Sequence, residues 1–413
     1  MSLSQQPAPT VKKWSNAIFF VSIHIAAVIC IYLRPPTTVP RESLLMAFLY
    51  WQLADFGITI GYHRLWSHHA FRANVYVRVI LAALGCSAFQ GSIKWWCVYM
   101  NVVHRFTDDL QHDPQVDSTR GLFYSHMGWI FFKPVYERVK LVDREDLDRD
   151  PVLLAIFFGY IVPVALGSLC RDPVGAFVYG GLVTKLAVWH CTFLVNSGLT
   201  NWGLGWLQPY SDEDTSRGNL VLAILTGGEG TAFYEMSDRL AACMRPHAFP
   251  HDYRSGPSRL DWDPSKWIIA ALHFLGLIKG VRRARPQDTH EARFYMHQKT
   301  HRVITDSDST DEWSGEEWNY KQAKTHVAER PGACLLIIDG FFVDVSKYLG
   351  EHPGGATLLR DYSRIAIDDN GKERWRDSSW AFGGGLNNHG RAAKRRMREL
   401  RVARISDKSL FCS

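Results

Sequence analysis

Zinc-binding and disulfide signatures are missing from this sequence. Its eight cysteines form no CxxC pair, and several of them lie in apolar runs: Cys30, Cys86, Cys170 and Cys191. We therefore expect buried thiols in a reducing compartment rather than a structural zinc site or a disulfide framework. The net charge of +6 comes with no RNA- or DNA-binding signature. Nucleic acid is thus not an expected partner, and the basic excess fits an anionic membrane face.

A cleavable leader is also not expected, since the first fifteen residues are polar and the next apolar run has no small-residue cleavage pattern. Apolar residues make up 46% of the chain and are clumped. Four stretches approach the ~20 residues that a bilayer crossing requires: residues 16–33, 43–62, 152–169 and 174–195. A fifth run, 76–92, contains Arg78, Gln90 and several small residues, and we predict that it is interfacial or buried.

The connections between the four stretches predict two membrane hairpins. The first pair is joined by RPPTTVPRE and the second by CRDP. An even number of crossings places residues 1–15, 63–150 and 197–413 on one side of the bilayer. Basic residues there predict that this side is cytosolic: Lys12, Lys13, Arg64, Arg72, Lys94 and Arg105.

The composition changes near residue 300, where THRVITDSDSTDEWSGEEW is polar and acidic and has the character of a linker. After it, ACLLIIDGFFVDVSKYL predicts strands around an Asp-Gly turn. We expect a mainly α protein with a four-span helical membrane domain, a cytosolic cap and a small α+β domain. The predicted division is a polar tail at 1–15, the membrane domain at 16–298, the linker at 299–312 and the small domain at 313–405.

Seven sequence blocks occur in a characteristic order across most of residues 40–270. They are GYHRLWSHHAF, GSIKWW, HRFTDD, RGLFYSHMGWIFFKP, GEG, HAFPHDYRSG and DWDPSKW. In this order the chain resembles the membrane-bound acyl-CoA Δ9 (stearoyl-CoA) desaturases, and with its C-terminal domain it resembles the fungal type. That family uses two irons held by histidine boxes, because removing hydrogen from an unactivated methylene requires an oxidant made from O₂.

The resemblance assigns iron ligands unevenly. His63 and His68 match the first box, HxxxxH, whereas Met100 and Val103 replace two histidines of the second box. The third box is interrupted by TAFYEMSDRLAACMRP, and no histidine follows the NS pair in NSGLTNWGLGW. Four histidines suffice for one weakly held iron, and full coordination of two irons is not expected. The metal residues that the resemblance implies are His63, His68, His104, His247 and Asn196.

Alternatives remain for several of these side chains. Asn196 would contact iron through a water molecule as in the family, or would cap a helix end. Three further histidines are possible substitutes for missing ligands, although no spacing supports them: His112, His126 and His251. Isolated histidines are predicted to be surface or interfacial residues: His69, His126, His190 and His273.

The segment YLGEHPGGATLLRDY resembles the haem-binding core of cytochrome b5. The resemblance makes His352 one axial ligand of haem b and His389, in WAFGGGLNNHGRAAKRRM, the other. Two axial histidines leave iron no open position, so such a haem transfers electrons. SRIAIDDNGKERWRDS lengthens the intervening loop at small entropic cost. The basic run Arg391–Arg404 is interpreted as a solvated helix face, with membrane docking as the alternative.

By resemblance, the chain would desaturate a long-chain saturated acyl-CoA with O₂ in the endoplasmic reticulum membrane. NADH-cytochrome b5 reductase would supply electrons, and the termini and sites would be cytosolic. No catalytic residue is assigned. One alternative is a non-catalytic, membrane-anchored haem protein or pseudoenzyme, and another is a desaturase of sphingoid or already unsaturated chains. The abrupt departures within matching blocks also fit misjoined gene segments, which sequencing of the transcript would test.

Overall fold

The structure is a computed structural model, and it describes most of the chain in segments. These are residues 10–93, 95–97, 122–134, 152–201, 220–228, 249, 252–255, 262–300, 313–350, 352, 356–367, 373–383, 389–406 and 411–412. The chain separates into two compact units, Met1–Arg285 and Pro286–Ser413. Helix Pro286–Thr300 therefore groups with the C-terminal unit, whereas composition alone suggested a boundary after residue 298.

The N-terminal unit is built from apolar helices, several of which contain a turn of the wider π-helix. Its α-helices include Trp14–Leu33, Arg41–Phe56, Val75–Ser87, Leu122–His126, Val152–Ile156, Val162–Leu169, Pro173–Gly175, Thr184–Asn201, Leu220–Leu225 and Pro264–Phe274. π-Helical turns at Gly57–Ser67, Phe157–Ile161 and Ala176–Val183 make continuous helices of 41–67, 152–169 and 173–201. Short 3₁₀ turns occur at Pro36–Thr38 and Gly128–Phe131.

All four predicted apolar stretches lie in helices. Within the described residues, three helices are long and apolar enough to cross a membrane: Trp14–Leu33, Arg41–Ser67 and Pro173–Val195. The apolar part of the remaining stretch, Leu154–Leu169, is shorter. At 1.5 Å per residue its 16 residues rise about 24 Å, which is less than the ~30 Å hydrocarbon core. The structure thus supports a helical membrane protein with three candidate spans.

The fifth apolar run forms the short helix Val75–Ser87, which packs against the second long helix. Asn74 caps it by accepting a hydrogen bond from the Val77 N–H at 2.9 Å. Glycines permit the close approach, because a Cβ on Gly57 would lie 2.3 Å from the Gly85 nitrogen. This helix has 13 residues, too few to cross a bilayer, in agreement with the prediction of a buried or interfacial segment.

Two short antiparallel strand pairs close the N-terminal unit. Thr10–Lys12 pairs with Phe132–Pro134, and Arg72–Ala73 pairs with Ile278–Lys279. The second pair brings the chain after the first histidine motif beside the chain after helix Pro264–Phe274. A cluster of buried side chains lies at this junction, among them Phe71, Leu81, Ile269 and Ile278.

The C-terminal unit is an α+β structure. Its four-stranded sheet has the order Glu317–Trp318, Arg401–Ile405, Phe341–Asp344, Leu335–Ile338, and a second sheet has the order Phe411–Cys412, Glu373–Arg376, Ile365–Ile367. The predicted Asp-Gly hairpin is confirmed, because Asp339 and Gly340 connect two strands with φ of 52° and 80°. The helices are Pro286–Thr300, Tyr320–Ala328, Ala356–Tyr362, Ser379–Phe382 and Arg391–Glu399.

Candidate functional sites

The first histidine motif lies on a π-helical turn. The His68 backbone N–H donates to the His63 carbonyl oxygen at 3.0 Å, which is the five-residue step of a π-helix. On an ideal α-helix, residues five apart would lie about 140° apart around the axis. The wider turn brings both imidazoles to the same face, which explains how the spacing HxxxxH forms a pair.

The two imidazoles meet edge to edge in a buried position. Their Nε2 atoms are 2.8 Å apart, and each residue is 7% exposed. An N–H of one ring pointing at the lone pair of the other accounts for this distance. With both nitrogens deprotonated, the two lone pairs would converge on one ion, because imidazole is a common metal ligand. The pair therefore fits two positions of an iron site.

Hydrogen bonds fix the position of Trp96, whose ring lies beside this pair. Trp96 lies edge-on to the His63 ring with centroids 5.9 Å apart. The Trp96 indole N–H donates to Gln90 Oε1 at 3.2 Å, and Gln90 Nε2 donates to the Thr192 hydroxyl at 2.7 Å. These bonds connect the segment carrying Trp96 to helix Thr184–Asn201, so the indole that covers His63 has a fixed orientation.

The remaining implied ligands are only partly described. His104 and His247 lie outside the described residues, as do Met100, Val103, His112 and His251. Asn196 lies within helix Thr184–Asn201. Among the residues the structure does describe, no three histidine, cysteine or acidic side chains gather as a metal-binding group.

Two histidines predicted to be isolated form a chain with a third. His24 Nε2 lies 3.0 Å from His190 Nε2, and His190 Nδ1 lies 2.9 Å from His126 Nε2. His126 Nδ1 is in turn 2.9 Å from the Ser197 hydroxyl. The sequence did contain a signal, because histidines inside apolar runs usually find partners. The sequence does not show which residues these histidines contact, because the contacts join distant segments. His69 and His273 are exposed, as predicted.

The C-terminal unit brings His352 and His389 to face one another. Their ring centroids are 6.3 Å apart and their planes are inclined by 26°. A bond from imidazole nitrogen to a metal is about 2 Å long. An ion midway between the two ring centroids would therefore have room for a bond of this length to one nitrogen of each ring. This spacing fits an iron between two axial histidines.

The orientation of His389 is set by its backbone surroundings. Its Nδ1 is 2.9 Å from the Phe382 carbonyl oxygen, and the Phe382 ring stacks on the imidazole at 4.3 Å between centroids. An Nδ1–H donated to a carbonyl leaves the Nε2 lone pair available to a metal and fixes the tautomer. His389 is thus arranged as a ligand through a partner that no motif records.

Apolar side chains line the same part of this unit. Phe382 and Tyr348 belong to the partly buried border of one hydrophobic core cluster. Its buried members include Leu336, Val343, Leu349, Leu359, Tyr362 and Met397. Tyr348 contacts the His352 ring at 6.0 Å between centroids and Phe382 stacks on His389, so side chains from this apolar cluster border both histidines, and the residues present fit haem b.

Comparison with known proteins adds relatives of named activity. No family model matches the chain. It is 32% identical over 378 residues to "Acyl-CoA desaturase 1" of Saccharomyces cerevisiae, covering 88% of this chain and 68% of that protein. It is 30% identical over 411 residues to "Probable acyl-CoA desaturase" of Schizosaccharomyces pombe, covering 94% and 77%. It is 29% identical over 288 residues to "Stearoyl-CoA desaturase 5" of Bos taurus, covering 66% and 81%.

The extent of these matches differs between the fungal and the bovine relatives. A match over 94% of the chain necessarily includes most of the C-terminal unit, whereas the bovine match covers 66%. The similarity to the two fungal proteins therefore extends across both units, in agreement with the fungal type of architecture.

Proposed function

The chain belongs to the acyl-CoA desaturases, and from that membership we propose that it introduces a cis double bond at the Δ9 position of a long-chain saturated acyl-CoA, using O₂. The observation that carries this proposal is the buried His63–His68 pair at the end of an apolar helix. Its relatives are fatty acid desaturases, which places the chain among the oxidoreductases of lipid metabolism.

Iron bound at the histidine pair would supply the oxidant, made from O₂, that removes hydrogen from an unactivated methylene. His63 and His68 would hold it, together with His104 and His247 and with Asn196 through water. The protein would keep water away from the iron, since the imidazoles of His63 and His68 are almost fully buried. Trp96 restricts the His63 ring on one side, which keeps its coordinating nitrogen aimed at a single point.

The C-terminal unit would deliver electrons. His352 and His389 would hold haem b, which would supply one-electron transfer, because its iron would have both histidines as ligands and would not bind O₂. The electron source would be NADH-cytochrome b5 reductase. A donor tethered to the membrane unit has an effective concentration of about a millimolar, so transfer would not depend on collision with a free cytochrome.

We place the protein in the endoplasmic reticulum membrane with four spans and with its termini and both sites cytosolic. Three candidate spans support a membrane protein. The fourth would be the helix 152–169, whose 18 residues rise about 27 Å, close to the ~27 Å hydrocarbon core of the endoplasmic reticulum membrane. Basic residues on the proposed cytosolic side support the orientation. Cysteine accessibility to a membrane-impermeant maleimide in sealed microsomes would test it.

Because several ligand positions hold other residues, activity should be far below that of a relative with complete boxes. Losses outside the first coordination shell alone cost about 10–100-fold, so we expect a deficit of at least about 100-fold. The test is expression in a cell that makes no unsaturated fatty acids, fed isotope-labelled stearate. A trace of labelled Δ9 product should form, and His63→Ala should abolish it.

His69→Ala is a matched control, because His69 is an exposed neighbour of the pair. Absence of any His63-dependent product from well-expressed protein would refute the desaturase proposal and favour the non-catalytic haem protein. Growth without added oleate at a normal rate would instead show that the coordination argument for weak activity is wrong.

A further inference from the structure

A buried arginine, Arg64, lies between the two histidines of the first motif in the sequence. Arg64 is 4% exposed, and its partner Asp263 is fully buried. The guanidinium contacts both carboxylate oxygens, with NH1 3.1 Å from Oδ2 and NH2 3.0 Å from Oδ1. Such bidentate pairing requires the planar fork of arginine, which lysine lacks.

Asp263 is saturated by further donors. Its Oδ2 accepts from the Ser255 backbone N–H at 2.8 Å, and its Oδ1 accepts from the Lys266 N–H at 3.0 Å, which caps helix Pro264–Phe274. Removing one member of such a buried ion pair is strongly destabilising, because it leaves the other charge buried without its partner. The carboxylate thus ties the helix and the loop before it to Arg64.

The same guanidinium contacts the chain on either side of residues 229–248. Before that segment, the Gly228 carbonyl accepts from Arg64 NH2 at 3.4 Å. After it, the Tyr253 carbonyl accepts from NH1 at 2.7 Å, and the Ser255 hydroxyl accepts from NH2 at 2.8 Å. The left-handed φ of 112° at Gly228 suits only glycine, and a Cβ there would lie 2.4 Å from Asp263 Oδ1.

We propose that Arg64 is a positioning residue for the metal site. It ties the turn that carries His63 and His68 to Gly228, to the loop at Tyr253 and Ser255 and, through Asp263, to helix Pro264–Phe274. This inference rests on the proposed iron site.

The test compares Arg64→Lys with wild type in full-length, detergent-purified protein, using cobalt(II) as the metal probe. Cobalt(II) bound by imidazoles has visible absorption bands that report its ligand geometry. Arg64→Lys keeps the positive charge but cannot make the bidentate contact with Asp263. We therefore expect the variant to bind cobalt(II) at least 10-fold more weakly than wild type and to show altered visible absorption bands. Ser255→Ala, which removes a single acceptor, should give a smaller change of the same kind.

Arg34→Lys is the matched control. Arg34 also forms an ion pair with a buried carboxylate, Asp172, between two helices, but it lies at the other end of its membrane hairpin. Its cobalt bands should be those of wild type. Unchanged cobalt binding by folded Arg64→Lys and Ser255→Ala would overturn the positioning role while leaving the proposed function intact. Failure of wild type to bind cobalt would overturn both.

Discussion

The two histidine pairs in this chain are built in different ways. His63 and His68 belong to one turn of one helix, and their nitrogens are in hydrogen-bond contact. His352 and His389 come from separate segments, and the fold holds their rings 6.3 Å apart. The first pair is local and needs ligands from elsewhere to complete a metal site. The second pair depends on tertiary structure and already has the spacing that a two-ligand site requires.

This difference implies different sensitivities. A local pair survives changes in distant segments but cannot function alone, whereas a pair made by the fold is complete as long as the fold persists. Substitutions in either pair, and in the contacts that support them, can test the distinction.

The largest effect is expected from His352→Ala. A fragment of residues 286–413, which contains its own hydrophobic cores, should bind added haemin and show a low-spin bis-histidine spectrum. Removing one of two axial ligands should abolish that spectrum. His290→Ala, on helix Pro286–Thr300, serves as the control and should leave it intact. A wild-type fragment that folds but stays colourless would contradict the haem assignment.

A smaller effect is expected when the helix packing beneath the first pair is disturbed. Gly57→Ala places a Cβ 2.3 Å from the Gly85 nitrogen, and overpacking of this kind costs about 1–3 kcal/mol. The melting temperature of the detergent-solubilised protein, followed by tryptophan fluorescence, should fall by several degrees.

Gly181→Ala is the control for this substitution, because its Cβ would meet only ordinary contacts at 3.4 Å. Its melting temperature should match that of wild type or rise slightly, since alanine favours a helix. Equal losses in the two variants would show that the close approach of the helices does not determine stability.

A still smaller effect concerns acid stability of the C-terminal unit. Burial would raise the pKa of Asp344, but hydrogen bonds from the Ser346 hydroxyl and N–H and from His326 outweigh it, so that pKa lies below the ordinary 3.8. A lowered carboxyl pKa stabilises the fold at neutral pH, and this contribution disappears as pH falls through the folded-state value.

Asp344→Asn should therefore lose at most about 1 kcal/mol at pH 7, given its partial exposure, and nothing at pH 2. Urea unfolding of the 286–413 fragment at both pH values measures the difference. Asp361→Asn, at an exposed ion pair with Arg364, should match wild type throughout. An equal loss for Asp344→Asn at both pH values would exclude the ionic explanation.

The smallest effect is expected from restoring the second histidine box. Met100→His combined with Val103→His adds two imidazoles, but the third box remains interrupted, so desaturation in the oleate-requiring cell should not measurably increase. A gain approaching the activity of a complete relative would show that the inserted segment does not disturb the site.

Local features of the fold could be predicted from the sequence, and long-range features could not. The apolar helices and the hairpin at Asp339 and Gly340 follow from composition and turn chemistry. The pairing of His126 with His190 and the bond from Arg64 to Asp263 join residues far apart in the chain. No periodicity carries such information, because those contacts arise only when helices pack.

The π-helical turn at Gly57–Ser67 has a consequence for how a motif is counted. Such a turn holds one more residue than an α-helical turn, so it is equivalent to a single-residue insertion within a helix. Removing one residue between His63 and His68 would leave an i, i+4 pair that still shares a face on an α-helix. Because the second histidine keeps its face, the chain that follows it keeps its orientation about the helix axis as well. A variant lacking one such residue would therefore keep its two histidines together and leave Ala70 and Phe71 with the partners that bury them.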